Sequence, residues 1–345
     1  MNRPERAAAV IDALAAPMTD AWRSWIAENL MLDCDTEAII RTLVQNGIAP
    51  HTARAELAMT MRSPYLQGAA RLKNRLAKRD WSLGIHAQLN RLRPATIARQ
   101  QRLPAAAFLR DFYCTNQPVI ITGMMDDWPA LSRWSLAYFR ARFGAREVEV
   151  QFDRQADPDY EANSIAHKRQ MRFGDYVDLV AAAGVSNDVY MTANNDARNR
   201  DSLIELWDDI GPLEAYLQPS SERGFFWFGP AGTVTPFHHD LTNNLMAQVV
   251  GRKRVRIIAA SDAASMPNPR HCFTPVDGRA IDLQRFPQLA AVPVLECVLA
   301  PGELLFLPVG CWHFVESLDV AATITFTNFR WDNDFYSRYP AQREF

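Results

Sequence analysis

A chain of 345 residues, 48% of them apolar, with a formal charge of -2, has room for a sizeable core, and roughly 100–200 residues per domain allows one large domain beside a smaller one. The near-neutral balance leaves no bias toward nucleic acid or acidic partners. The five cysteines Cys34, Cys114, Cys272, Cys297 and Cys311 are scattered without a CxxC pair, which excludes a disulfide framework or a zinc ribbon and points to a reducing compartment.

The first residues, MNRPERAAAVIDALAAPMTDAW, carry basic residues ahead of a small apolar run. Asp12 interrupts that run, so the segment reads as the start of an amphipathic helix and not as a secretory signal. No apolar stretch approaches the roughly 20 residues that span a bilayer, and the expectation is a cytoplasmic protein with no membrane partner. In TDAWRSWIAENLML, Trp22, Trp25, Ile26 and Leu30 recur at three-and-four spacing and make one apolar face. In DTEAIIRTLVQNGI, Asp35 is an N-cap, Ile39, Ile40, Leu43 and Val44 form the buried stripe, and Gly47 ends the helix.

From Arg71 to Arg102 the chain turns basic (RLKNRLAKRDW, then RLRPATIARQQRLP). Such a run can be a nucleic-acid surface; leucines interleaved at helical spacing favour a solvated helix face and linker. Pro94 and Pro104 punctuate it, and the reading is a helical domain over residues 1–103 with a second domain over 104–345. There the texture changes to strand-length β-branched or aromatic runs bounded by Gly and Pro: QPVIITGM, REVEVQF, DVYMT, GFFWFG, NNLMAQVVG, RKRVRIIAA, GELLFLP and AATITFTNFRW. Few helices lie between them, among them SLAYFRARF and FGDYVDLVAAAG, so an antiparallel double sheet or barrel is expected and not a doubly wound parallel sheet.

The chemistry concentrates in GTVTPFHHDLTNN. On a strand, residues two apart face the same way, so His238 and Asp240 can share an ion while His239 points elsewhere. A third ligand must come from a facing strand. His313, in PGELLFLPVGCWHFVES, opens a strand after a turn, whereas His271 sits in the proline-bearing loop SMPNPRHCF with no rigid strand to hold it. Two neutral imidazoles and one carboxylate with open positions make the donor set of an oxygen-activating non-haem Fe(II) centre. In RKRVRII, Arg252, Arg254 and Arg256 share one face and Lys253, Val255 and Ile257 the other, so Lys253 is the basic residue on the apolar side. Trp227 and Phe225 read as core, Glu303 as a turn residue, and Cys311 as a small buried side chain.

The stretches TPFHHDLTNNLMAQVVGRKRVRII, PGELLFLPVGCWHFVESL and ITFTNF, with QPVIITGMMDDWPA upstream, resemble the JmjC, cupin-like family of Fe(II)- and 2-oxoglutarate-dependent oxygenases over residues 104–340. The branch they resemble most contains the factor-inhibiting-HIF asparaginyl hydroxylase. The resemblance implies a mainly β, double-stranded β-helix (jelly roll) behind an N-terminal α-helical domain, with iron on His238, Asp240 and His313, and with 2-oxoglutarate and O2 consumed. It implies that Lys253 and Thr235, with Tyr190, hold the far carboxylate of 2-oxoglutarate, and that Asn244 and Asn328 lie near its iron-side carboxylate. A buried dianion needs such a cation and donors, because an unpaired buried charge is very costly.

The activity so implied is hydroxylation of a peptide or protein side chain or of a small metabolite. Lysine demethylation and a non-catalytic binding module are the alternatives. The chain departs from the resembled branch in three places. It ends at Phe345, soon after the jelly roll, where that branch continues into dimerising helices. Its helical N-terminal domain is expected to carry homodimerisation or substrate delivery instead. Arg330 stands two residues after Asn328, at the position of a substrate-contacting tryptophan. Sharing a strand face with Asn328, Arg330 would point to the iron mouth and select an anionic substrate, or else pair with Asp332 or Asp334.

Overall fold

The computed structural model describes residues 16–192, 196–220 and 224–340, and among the described residues of the first hundred the helix signals are realised as four helices. They are α1 (Asp20–Met31), α2 (Thr36–Gln45), α3 (Pro50–Arg62) and α4 (Pro64–Asn90). The Asp35 carboxylate caps α2 by accepting from the Ala38 N–H at 2.9 Å, and Gly47 follows the helix at φ 88°, a conformation that glycine adopts without strain. Ile26, Ile39, Ile40 and Leu43 are buried together, with Trp22, Trp25 and Leu30 packed against them; each fully buried aliphatic side chain contributes about 1.5–3 kcal/mol. Val44, expected in that stripe, is 38% exposed. The N-terminal segment weighed as a signal lies largely outside the described residues. No described helix is long and apolar enough to cross a membrane.

The chain divides into two compact units after Ile85, ahead of the boundary expected near residue 103. Residues 86–103 belong to the second unit because strand β1 (Ala98–Gln101) pairs in parallel with β2 (Val119–Thr122), and Ile97 and Leu103 are buried in the cores around it. The proline-punctuated stretch therefore ends in a strand, not a linker.

The second unit is a jelly roll. A two-stranded ribbon, β3 (Glu147–Gln151) with β4 (Lys168–Arg172), precedes the helix α5 (Phe173–Ala182) and the strands β5 (Phe225–Gly229), β6 (Val234–His239), β7 (Asn244–Val250), β8 (Lys253–Ile258), β9 (Leu295–Leu299), β10 (Glu303–Leu307), β11 (Trp312–Ser317) and β12 (Ala321–Phe326). One sheet runs β1-β2-β10-β7-β12-β5 and the other β6-β11-β8-β9. Apart from β1–β2, all named strand pairs are antiparallel.

Alternation sorts the side chains into layers. Ile120, Met246, Val255, Ile257, Leu305 and Val315 fill the space between the sheets, while Phe228, Phe306, Ile324 and Tyr176 of α5 pack on the outer face of the larger sheet. The outer face of the smaller sheet, with Phe237, Trp312 and Phe314, is covered by Met266, Val276, Phe286 and Leu289 of the long β8–β9 connection.

Candidate metal centre

His238 on β6 and His313 on β11 are directly paired across the antiparallel ladder, which brings their ring centroids to 4.2 Å. Asp240 follows β6 immediately. One ligand atom from each of the three lies within 4.8 Å of the others. The Nε2 atoms of His238 and His313 stand 3.6 and 3.8 Å from the two Asp240 oxygens. These separations are too long for good hydrogen bonds and leave all three groups turned on one point.

The tautomers follow from the backbone. The His238 Nδ1 lies 2.9 Å from the Pro236 carbonyl and the His313 Nδ1 3.1 Å from the Cys311 carbonyl. A carbonyl only accepts, so each Nδ1 carries the proton and each Nε2 presents its lone pair to the centre. Burial, reinforced by His238, pushes the His313 pKa down and keeps that imidazole neutral. The Asn244 side-chain amide donates to Asp240 Oδ2 at 3.1 Å and fixes the carboxylate, while Asn244 Oδ1 is buried without a partner among the described residues. Two imidazoles and a carboxylate from protein leave coordination positions open, as non-haem Fe(II) requires and a closed four-ligand structural zinc site does not. The nearby Cys272 is pushed up to about 11 by burial and stays a thiol.

His239 behaves as the alternation argument required. It is buried on the opposite face, edge-on to Trp312 at 4.8 Å and beside Tyr339, and burial lowers its pKa. His271 stays in its loop at φ 45°, outside the triad.

The triad opens into a cavity of about 420 Å³ that also contains Lys253, Tyr190, Thr235, Asn244, Trp227 and Glu161. Lys253 is 2% exposed, and its ammonium donates to the Tyr190 hydroxyl at 3.2 Å. Burial pulls its pKa down to about 7, as desolvation does to a buried ammonium. Arg254 and Arg256 face outward to Glu316 and Glu296, and Arg252 pairs with Asp319, as the alternation of β8 requires. Tyr190 reaches its place by a close approach: a Cβ on Gly229 would stand 2.7 Å from the Tyr190 ring.

Thr235 enters the cavity through an irregularity. His238 and Thr235 are three residues apart, so regular alternation would put them on opposite faces. Their partners on β11, His313 and Val315, are only two apart; β6 therefore carries one extra residue, a bulge at Pro236–Phe237, which returns Thr235 to the face of His238. Pro236 has no N–H to lose from the ladder there.

Two expected site residues lie elsewhere. After β12 the chain runs beside residues 214–218, with Leu217 bridged to Phe329. The Asn328 side chain donates to the Gln218 carbonyl and lines a separate groove with Trp207, Leu213 and Phe326. Arg330 donates to the Glu214 carbonyl at 3.1 Å, not to Asp332 or Asp334. The two residues do share a face, but it is the face away from the iron site; Thr325 and Thr327 are the residues of this segment that line the cavity. Asn328→Ala and Arg330→Met should accordingly leave 2-oxoglutarate affinity within about twofold, inside the few tenths of a kcal/mol typical of distant sites, as isothermal titration will read.

Sequence reasoning missed Glu161, Phe273 and Arg154. Glu161 and Phe273 line the cavity, and Arg154 sits fully buried behind it. Both Arg154 and Glu161 follow β3 in DRQADPDYEAN, where no periodicity or ligand spacing marks them.

A family model described as a cupin-like domain matches residues 104–337. The chain is 30% identical over 233 residues to lysine-specific demethylase 8 of Xenopus tropicalis, covering 65% of this chain and 51% of that protein. With lysine-specific demethylase 8 of Danio rerio it shares 33% over 230 residues, 64% of this chain and 55% of the relative. It is also 27% identical over 270 residues to the human bifunctional peptidase and (3S)-lysyl hydroxylase JMJD7, covering 67% and 82%. The chain thus spans about half the length of the two demethylases. These likenesses do not single out the asparaginyl-hydroxylase branch.

Proposed function

The chain belongs to the JmjC, cupin-like family of Fe(II)- and 2-oxoglutarate-dependent oxygenases, and from that premise we propose that it hydroxylates a carbon of a basic side chain in a peptide or protein. The observation that carries this reading is the joining, in one cavity, of the His238–Asp240–His313 triad and the buried Lys253–Tyr190–Thr235 group. When bound, iron and 2-oxoglutarate supply the oxidation: one O2 is consumed, the cosubstrate leaves as succinate and CO2, and one oxygen atom enters the substrate C–H bond.

The protein's part is to hold and exclude. His238, Asp240 and His313 would hold the metal, with their tautomers set by the Pro236 and Cys311 carbonyls. Asn244 keeps Asp240 turned inward. Lys253 would meet the far carboxylate of 2-oxoglutarate, with the Tyr190 and Thr235 hydroxyls donating beside it, since a buried carboxylate is retained only when paired and hydrogen-bonded. Leu307, Met246 and Val315 form apolar walls that keep water from this end.

A basic substrate is supported by the Glu161 carboxylate, nearly buried on the cavity wall with Trp227 and Phe225 and sharing its charge with Arg154 Nη1 at 3.5 Å; a carboxylate and aromatic faces are a setting for a cation. The lysine in the names of the relatives agrees with it. A panel of lysine-, arginine- and acid-containing peptides, assayed for Fe(II)-dependent succinate formation, tests the reading; stimulation only by acidic peptides sinks it. Demethylation is the second reading, favoured by the names of the two demethylases, and formaldehyde release from a methylated lysine peptide distinguishes it. Glu161→Gln should raise the KM for a basic peptide by about tenfold, equivalent to about 1.4 kcal/mol, with the 2-oxoglutarate KM unchanged.

A further inference from the structure

Arg154 is a fully buried cation that the proposed chemistry does not use. It follows β3 in a short 3-10 turn, and a guanidinium cannot shed its charge to escape burial. Its contacts define one region. Nη2 donates to the Val234 carbonyl at 2.6 Å, and Val234 directly precedes Thr235. Nη1 donates to the Gln151 side-chain carbonyl and lies 3.5 Å from Glu161 Oε2.

The guanidinium carbon stands 4.2 Å from the Tyr160 ring centroid and 5.2 Å from that of Tyr190. Gln151 in turn exchanges both backbone hydrogen bonds with Tyr190, at 3.0 and 3.1 Å. Arg154 therefore touches, directly or through one neighbour, the residues that place both hydroxyls beside Lys253, yet it does not line the cavity itself. Its Nε remains buried without a partner among the described residues, so packing satisfaction alone does not explain a full guanidinium here.

We propose that Arg154 is a positioning residue of the 2-oxoglutarate site: its fork and ring contacts hold Tyr190 and the Thr235 segment of β6 against Lys253. This rests on the reading that 2-oxoglutarate occupies the cavity. A lysine in its place keeps the charge but not the two-pronged grip, and a methionine keeps neither.

The test is calorimetric binding of 2-oxoglutarate to the full chain loaded with Mn(II), alongside Mn(II) affinity and thermal midpoints, for wild type, Arg154→Lys and Arg154→Met. Both variants should bind 2-oxoglutarate at least about tenfold more weakly, the scale on which supporting contacts act, with Mn(II) affinity unchanged. In a Tyr190→Phe background the further loss on Arg154→Met should shrink, since the arginine acts through that tyrosine.

Wild-type protein that binds no 2-oxoglutarate overturns the proposed function and this inference together. Wild type that binds, with variants that bind equally well at a lowered midpoint, leaves the function standing and returns Arg154 to a structural role. If both Arg154 variants fail to fold, Gln151→Met, which removes the Gln151 acceptor from Nη1 without removing the charge, decides in their place: unchanged affinity there overturns the inference.

Discussion

His238→Ala is expected to abolish 2-oxoglutarate turnover and His239→Ala to leave it measurable, although the two residues are neighbours of the same type. His238 presents Nε2 to Asp240 and His313; removing it leaves one imidazole and one carboxylate. Substituting groups that merely support a ligand costs roughly 10–100-fold in metal affinity or activity, so loss of a ligand exceeds that. His239 packs on Trp312 and Tyr339 behind the sheet, and its removal should cost about 1–3 kcal/mol of stability, within the ordinary range for a buried side chain. Metal titration and turnover on both variants check the pair, and the reverse pattern overturns the ligand assignment. A one-residue slip of β6 would exchange the two faces, so this comparison also tests the register.

Lys253→Ala should act on the cosubstrate and spare the metal. The ammonium is buried with the Tyr190 hydroxyl as its hydrogen-bond partner, and removing one partner of a buried charge pair costs about 3–5 kcal/mol. At about 1.4 kcal/mol per decade, 2-oxoglutarate should bind roughly two to three and a half orders of magnitude more weakly, with Fe(II) affinity nearly unchanged. Normal 2-oxoglutarate affinity by calorimetry would show that the dicarboxylate does not use this lysine.

The part of the site that is legible in the amino-acid sequence obeys local rules. His238, Asp240 and His313 follow from two-residue alternation and from a strand bounded by turns. The inward Lys253 between outward Arg252, Arg254 and Arg256 follows from the same period. The N-cap Asp35 and the terminating Gly47 are likewise local, since a side chain one turn away and a positive φ are set within a few residues.

Asn328 and Arg330 show where the same rule stops. Their shared face is readable from spacing, but which face it is depends on residues 214–218 lying alongside and capturing both side chains. Arg154 and Glu161 leave no trace in the sequence because they sit in an irregular connection, and only the folding of that connection under β6 makes them part of the site. The boundary expected near residue 103 falls earlier for a related reason: a four-residue strand joining an edge in parallel has no hairpin turn to announce it.

The sequence by itself determined that the second domain is an antiparallel double sheet or barrel, that His238, Asp240 and His313 can share one metal, and that Lys253 points inward, because each of these rests on side-chain period and turn chemistry carried by a few adjacent residues; the jelly roll was implied only by the family resemblance. The tertiary structure decided the rest. Thr235 joins His238 only through the bulge at Pro236–Phe237, and bulge placement is a property of the pairing between β6 and β11. Tyr190 meets Lys253 only because Gly229 admits its ring. Those are long-range facts: burying an ammonium, a guanidinium and a carboxylate around one cavity requires partners from segments far apart in the chain, and no local pattern records which segments will meet.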